Sequence, residues 1–219
     1  MKSVLVTGAS SGIGRATARR LDAAGWKVFA GVRREEDAAA LRAGSSSRLE
    51  PLLLDVLDPD AIAAAAERIE AEPGGLDGLV PNAGSAFAGP LETLPLDLFR
   101  EQLELNLTAQ LAVIQAVMPA IRRARGRLIL ISSDGGRVAL PYTGAYHASK
   151  WALESFSQSL SLEVAGFGVK VTLIEPTGYS ADRAGSSAKH ATALPAYDPV
   201  RELASPSGSS PPSSGTACS

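Results

Sequence analysis

Apolar residues along this chain concentrate in short segments at positions 4–6, 27–32, 49–54, 76–80, 126–131 and 169–174, with few polar interruptions except in the last, where Lys170 and Thr172 alternate with them. Runs of that length without regular polar interruption predict strands buried on both faces, as in a parallel sheet. Between them lie longer segments in which apolar residues recur at helical spacing, such as Ala18 and Leu21, Ile62 and Ile69, or Leu153, Phe156 and Leu160. Strands alternating with amphipathic helices predict an α/β domain, a doubly wound parallel sheet with helices on both faces, in three layers. Local punctuation agrees: Gly25 closes the first helix, and Asp58 is placed as an N-cap with Pro59 at the first helical position. A further helix starts near Pro95 and is predicted to carry Leu98, Phe99, Leu103 and Leu107 on one side, with Asn106 among them. Asparagine is a poor helix former, so on pattern alone Asn106 reads as a partly exposed helical residue.

Composition narrows the class. With 219 residues, 45% hydrophobic and 20% charged, the chain is long enough for one domain with a sizeable core, taken as residues 1–203. A net charge of -2 gives no electrostatic case for nucleic acid or an anionic membrane as partner. Cys218 is the single cysteine, which excludes an intrachain disulfide and a cysteine metal cluster, and no metal is assigned. The run at 4–6 passes straight into glycine rather than into a secretory leader, and no run approaches the roughly 18 apolar residues of a membrane span. A cytoplasmic protein is expected. Residues 204–219 contain seven Ser, three Pro and two Gly, a composition that predicts a disordered tail.

The first strand ends in Thr7-Gly8-Ala9-Ser10-Ser11-Gly12-Ile13-Gly14, and a helix follows at once. Glycines at these places allow a tight turn, close approach of backbone to a pyrophosphate, and close packing of helix on sheet. The helix N-terminus adds free N–H groups and the positive end of its dipole, so an anionic cofactor is expected. The Gly-Lys-Ser/Thr of a triphosphate-binding loop is absent, since Ile13, Gly14 and Arg15 stand in its place, and the G-x-G-x-x-G spacing is not met either. The second strand runs out at Val32 into Arg33 and Arg34, with no carboxylate. A carboxylate there would bond the ribose hydroxyls of NAD, whereas a guanidinium suits the extra phosphate of NADP. The alternative is two solvated charges opening the helix that contains Glu35, Glu36 and Asp37. Further on, Tyr146 and Lys150 are four apart at the start of a helix and so share a face. An ammonium near a phenol stabilises the phenolate, drawing a reference pKa of about 10 toward the range of acid/base catalysis. His147 lies inside the same motif with no positioned partner and reads as a bystander; His190 lies in an irregular stretch.

The turn from Thr7 to Gly14 resembles the T-G-x-x-x-G-x-G turn of the short-chain dehydrogenase/reductase family. Asn82-Ala83-Gly84 after the fourth strand resembles its N-A-G motif, Tyr146 and Lys150 its Y-x-x-x-K pair, and Ser133, thirteen residues before Tyr146, its active-site serine. Asn106 matches its active-site asparagine, and the likeness runs in order from Val4 to about Gly178. The resemblance implies a Rossmann-like fold and reversible hydride transfer between NADP(H), in preference to NAD(H), and a small-molecule carbonyl or secondary alcohol. It implies that Tyr146 protonates the carbonyl oxygen and Ser133 bonds it, that Lys150 holds the ribose and lowers the tyrosine pKa, and that Asn106 links the lysine through water to a proton relay. Cofactor contacts are implied for Gly8, Ser10, Ser11, Gly12, Ile13, Gly14, Arg33, Arg34, Asp55, Val56, Asn82, Ala83, Gly84, Tyr146, Lys150, Pro176, Thr177 and Gly178. Asp55 would hold the adenine, the alternative being a strand-end Asp in a turn.

The chain departs from the family pattern at three places. Pro81 precedes N-A-G where the family often has Asn, and Thr177 displaces the usual Pro-Gly after the sixth strand. The family continues with another helix and a seventh strand, so six strands are expected here, with the sixth as an edge, a substrate lid at 178–203 and activity impaired by the shortened end. A truncated or frame-shifted coding sequence is the alternative origin of that end. Phe87, Val138, Tyr142 and Tyr179, near the mouth by analogy, point to an apolar substrate. The helices starting near Pro95 and Gly144 resemble those that pair family subunits, implying a homodimer or homotetramer. A dinucleotide-binding regulatory protein without turnover is the second reading, though such proteins usually lack the tyrosine or lysine. A nucleotide-binding methyltransferase gives no reason for Ser133, Tyr146 and Lys150 together.

Overall fold

Six strands, β1 (Ser3–Val6), β2 (Lys27–Val32), β3 (Leu49–Leu53), β4 (Gly78–Val80), β5 (Arg127–Ile131) and β6 (Lys170–Ile174), pair in the order β3-β2-β1-β4-β5-β6. Every pairing is parallel. The structure is a computed structural model and describes residues 1–177. The lid and tail expected at 178–219, with Tyr179 and His190, lie outside the described residues. Each strand sits where an apolar run predicts one, and the main difference is at β4. There the run at 76–80 yields a strand only from Gly78, because Leu76 turns its N–H to the Ala120 carbonyl at 3.0 Å, off the sheet ladder. Pro81 falls just past the strand's end, where its missing N–H breaks no ladder bond.

The helices are α1 (Gly12–Ala23), α2 (Glu35–Arg42), α3 (Pro59–Glu70), α4 (Leu96–Leu103), α5 (Ala109–Ala124) and α6 (Gly144–Val164). The expected caps are present: the Asp58 carboxylate accepts from the Asp60 N–H at 2.9 Å, and Gly25 takes the left-handed φ of 84° that ends α1. Strand residues alternate between two cores. Leu5, Phe29, Leu79, Leu128 and Leu130 pack with Ile69 of α3, Ile114 and Ile121 of α5 and Leu153 of α6. Val4, Val6, Val28, Ala30 and Val80 pack on the other face with Ala18 of α1 and with Ala38 and Leu41 of α2. Among the described residues β6 is the sheet's edge. Its Val171 and Leu173 turn toward the α6 side, while Lys170, Thr172 and Ile174 are exposed.

One helical prediction is corrected. The segment from Leu96 to Ala124 is continuously helical but passes through a π turn at Glu104–Thr108, where the Ala109 N–H reaches back to the Glu104 carbonyl. The fully buried positions near the start of this run are Gln102 and Asn106, each 0% exposed, while Leu98, Phe99, Leu103 and Leu107 are only half-buried. A polar pair is tolerated inside because it faces main-chain groups that need partners, described below. The same 29-residue run is, by length and composition, long and apolar enough to cross a membrane, which counting unbroken apolar runs does not reveal. Half of its most apolar window is buried inside the protein, as in the core helix of a globular domain.

Leu79 is fully buried at the centre of the sheet, whereas Leu162 on α6 is 81% exposed. Leu79→Ala is therefore expected to cost about 2–5 kcal/mol in urea unfolding, and Leu162→Ala to stay within about 0.5 kcal/mol.

Candidate active site

Strand order reverses between β1 and β4, so the loops leaving their carboxyl ends diverge and open a crevice. Two close contacts build its floor. Gly8 has a left-handed φ of 64°, and a Cβ there would stand 2.9 Å from the Ala83 Cα. A Cβ on Gly14 would stand 2.3 Å from the Gly8 carbonyl oxygen and 2.5 Å from Asn82 Nδ2. Only glycine lets the first turn and the segment after β4 come this close. Thr7 joins them from the side: its Oγ1 accepts from the N–H of Asn82 and of Ala83, both at 3.0 Å. Asn82 Nδ2 donates back to the carbonyls of Thr7 (3.0 Å) and Gly8 (3.3 Å). The two main-chain N–H groups at 82 and 83, beyond the end of β4, are thus satisfied by one hydroxyl.

The crevice is about 480 Å³, within the usual range for a small-molecule site. Gly8, Ser10, Ser11, Gly12, Ile13, Arg33, Asp55, Val56, Asn82, Ala83, Gly84, Asn106, Ser133, Tyr146, Lys150 and Pro176 all line it. Phe87 lines it as well, with Ser85, Leu105 and Ser132. Gly14, Arg34 and Thr177 are not among its lining residues. Gly14 is packed beneath the turn. Arg34 hydrogen-bonds Asp37 at 3.0 and 3.2 Å, and this bond with the Asp37 and Glu36 charges raises its pKa. It therefore behaves as the helix-opening charge of the alternative reading. Arg33 is exposed at the crevice and has no ion-pair partner among the described residues. Asp55 Oδ1 accepts from the Leu57 N–H at 3.0 Å, as a turn aspartate does, while still facing the crevice. Gly178 lies outside the described residues.

At the other end, Ser133, Tyr146 and Lys150 are all buried, at 6, 8 and 6% exposure. The Lys150 ammonium donates to the Ile131 carbonyl at the end of β5 (2.8 Å) and lies 5.7 Å from the Tyr146 ring centre. Ser133 Oγ accepts from the Gly135 N–H at 3.1 Å and donates to Asp134 Oδ1 at 2.8 Å. Asn106 is fully engaged: its Oδ1 accepts from the Ser85 N–H (3.0 Å), and its Nδ2 donates to the Ser85 carbonyl (2.9 Å) and Ser149 Oγ (3.0 Å). Ser149 Oγ in turn donates to the Tyr146 carbonyl at 2.6 Å. The Asn106 side chain is therefore a pin between the loop after β4 and the helix bearing Tyr146, which corrects its reading as a partly exposed helical residue.

Several contributors are not singled out by the motifs. Gln102 accepts from the Phe87 N–H at 2.7 Å and donates to the Ser85 carbonyl at 2.8 Å, so it works beside Asn106. Its spacing of four from Asn106, on one helix face, is the signal that marks it. Ser149, three after Tyr146, carries no such pattern. His147, expected to have no positioned partner, has one: its Nδ1 accepts from the Leu140 N–H at 3.1 Å. Of the residues placed at the mouth, Tyr142 holds a left-handed φ of 64°, and its carbonyl accepts from the Gly89 N–H at 2.7 Å. Val138 is 49% exposed.

Replacing Asn106 by Leu leaves the half-buried Ser85 N–H without its acceptor. The expected cost is about 1–3 kcal/mol in urea unfolding, with faster hydrogen exchange at the Ser85 amide; an unchanged unfolding midpoint would show that the pin carries no stability.

Comparison with known proteins agrees with this geometry. The short chain dehydrogenase family model matches residues 2–192. Human "Retinol dehydrogenase 16" is 44% identical over 181 residues, 81% of this chain and 56% of that protein. Bovine "17-beta-hydroxysteroid dehydrogenase type 6" is 40% identical over the same length, again 81% of this chain and 56% of that protein. The chain thus spans a little over half the length of these relatives. The crystal structure of a short-chain dehydrogenase from Streptomyces avermitilis superposes with a TM-score of 0.82 at 36% identity, covering 93% of this chain and 79% of that one. A glycine turn closed against Asn82-Ala83, a Ser133–Tyr146–Lys150 cluster at one end of the crevice, and a family match across most of the sequence lead to one assignment: the chain belongs to the short-chain dehydrogenase family.

Proposed function

We propose that this protein catalyses hydride transfer between NADP(H) and an apolar carbonyl compound or secondary alcohol. The observation that carries the reading is that one crevice holds a glycine turn able to accept a pyrophosphate at one end and Ser133, Tyr146 and Lys150 at the other. The residues fit a dinucleotide: Gly8, Ser10, Ser11, Gly12 and Ile13 line the crevice where α1 begins, and Arg33 lines it beyond β2 without an ion-pair partner among the described residues. In the proposed complex Gly8 to Ile13 receive the pyrophosphate, Asp55 and Val56 flank the adenine, and Asn82 to Gly84 with Pro176 line the remainder. Arg33 takes the extra phosphate. When bound, the dinucleotide supplies or accepts the hydride. Tyr146 gives its phenolic proton to the carbonyl oxygen during reduction, and Lys150 favours the phenolate left behind. Ser133 steers the same oxygen, and to donate to it the hydroxyl gives up its bond to Asp134. Asn106 holds Ser85 and Ser149 so that the loop after β4 and the start of α6 keep their spacing.

An apolar substrate is supported by Phe87 in the lining and by the names of the relatives, retinol and hydroxysteroid dehydrogenases. A homodimer or homotetramer and a cytoplasmic location are part of the same proposal, checked by sedimentation and by fractionation. The second reading, dinucleotide binding without turnover, is opposed by the retention of Tyr146 and Lys150 in the crevice.

Following NADPH absorbance over a panel of ketones, aldehydes and retinoid or steroid carbonyls is expected to show turnover, with Tyr146→Phe losing it by about 100-fold or more while still binding the dinucleotide. Equal turnover in that variant would overturn the mechanism. For the cofactor, a charge-assisted contact at Arg33 is expected to favour NADPH over NADH by about tenfold or more in affinity. Arg33→Ala should erase the preference, and an unchanged preference would remove Arg33 from the phosphate site.

A further inference from the structure

The Tyr146–Lys150 motif contains a third side chain that the reaction above does not use. His147 is 7% exposed and sits between the turn that carries Ser133 and the loop at 137–143. Its Nδ1 accepts the Leu140 main-chain N–H at 3.1 Å. A backbone N–H can only donate, so this bond exists only while Nδ1 carries no proton. Thr143 Oγ1 is 3.4 Å from the same nitrogen but donates its own proton to the Leu140 carbonyl at 3.0 Å. The other edge of the ring rests on Gly135, where an added Cβ would meet His147 Cδ2 at 2.6 Å. The Gly135 N–H is shared between Ser133 Oγ at 3.1 Å and Asp134 Oδ1 at 2.8 Å, and Ser133 Oγ donates to the same carboxylate oxygen, so the Gly135 amide helps to place Ser133. The ring centre is 5.8 Å from that of Tyr146.

We propose that His147 is a positioning residue: its unprotonated Nδ1 latches the 137–143 loop to α6, and its ring backs the Gly135 amide that holds Ser133 in place. The proposal deepens the oxidoreductase reading, since Ser133 matters only if that reading holds, but the latch itself exists with or without turnover.

The surroundings define how it responds to pH. Burial holds the imidazole pKa below its ordinary 6.5, and the Asp134 carboxylate, the charged group of the facing turn, pulls weakly the other way. The loop presents only neutral groups to the ring, the Leu140 amide and the Thr143 hydroxyl. On α6 its ring neighbour is Tyr146, while Arg137 of the loop is taken up by Glu154 and Glu175. With the folded pKa below the unfolded one, the folded state is favoured above about pH 6.5, and that advantage is lost as pH falls through the folded value. Once protonated, Nδ1 repels the Leu140 N–H and turns to Thr143 Oγ1 as acceptor, so the Leu140 amide is released while Thr143 keeps its own bond to the Leu140 carbonyl.

The test is hydrogen exchange on the full chain without substrate, expressed as protection of the Leu140 amide relative to free peptide. His147→Phe fills the space with no acceptor, and His147→Asn places an amide oxygen near the position of Nδ1. In the native protein protection is expected to drop about tenfold or more between pH 7.5 and pH 5. It should be low at both pH values in His147→Phe and high at both in His147→Asn. With an active substrate, kcat should fall in the Phe variant and recover in the Asn variant, with unchanged dinucleotide affinity. Native-like protection in His147→Phe, or protection in the native protein that ignores pH, would overturn the proposal. If His147→Phe fails to fold, the pH course of the native protein and of His147→Asn decides. Exchange that behaves as expected in a protein without turnover would refute the oxidoreductase reading and leave the latch standing.

Discussion

The structure depends on how closely two pieces of main chain approach at the carboxyl ends of β1 and β4. Gly8 and Gly14 have no room for a side chain because Ala83, Asn82 and the turn's own carbonyl occupy that space. The approach positions α1 with its N-terminus at the floor of the crevice, and Thr7 Oγ1 locks it by accepting two N–H groups from the neighbouring strand's extension. Without this contact the crevice would have no floor for a pyrophosphate, and the loop after β4 would not pass beside Tyr146.

A second constraint follows from the first. A loop forced across the sheet's end carries main-chain donors and acceptors away from water, and each must be paired. Thr7 serves residues 82 and 83, Asn106 and Gln102 serve Ser85, and Gln102 also serves Phe87. This accounts for a helix whose innermost positions are amides rather than leucines. The π turn at Glu104–Thr108 contains Asn106, and such turns frequently occur at functional sites. Ser149 extends the same chain of bonds to the Tyr146 carbonyl, so Tyr146 is held partly through the loop after β4.

The inner strands are legible in the sequence because a strand buried on both faces leaves an apolar run, as at Leu5, Val28 and Leu128, whereas the edge strand β6 alternates Val171 and Leu173 with exposed Lys170 and Thr172. The caps at Asp58 and Gly25 are legible because single-residue chemistry dictates them. Asn106 and Gln102 are not, because their burial is set by the polar groups of a loop distant in sequence rather than by helical periodicity. Arg33 is favoured over Arg34 in the sequence as the first residue past β2, and the path of the chain into α2 adds the reason, with one facing the crevice and the other held by Asp37. His147 is hidden because its partner is a backbone N–H, which every residue except proline offers and no pattern marks.

The dependence on close glycine packing is tested most directly by calorimetric titration of the chain with NADPH, alongside Gly14→Ala checked for retained secondary structure by circular dichroism. Gly14 does not line the crevice, and the methyl group would collide with the Gly8 carbonyl beneath it. The native chain should bind NADPH at one site per chain, and the variant should keep its helices and strands yet bind at least about tenfold more weakly. Equal affinity in the folded variant, or no saturable binding in the native chain, would contradict the account.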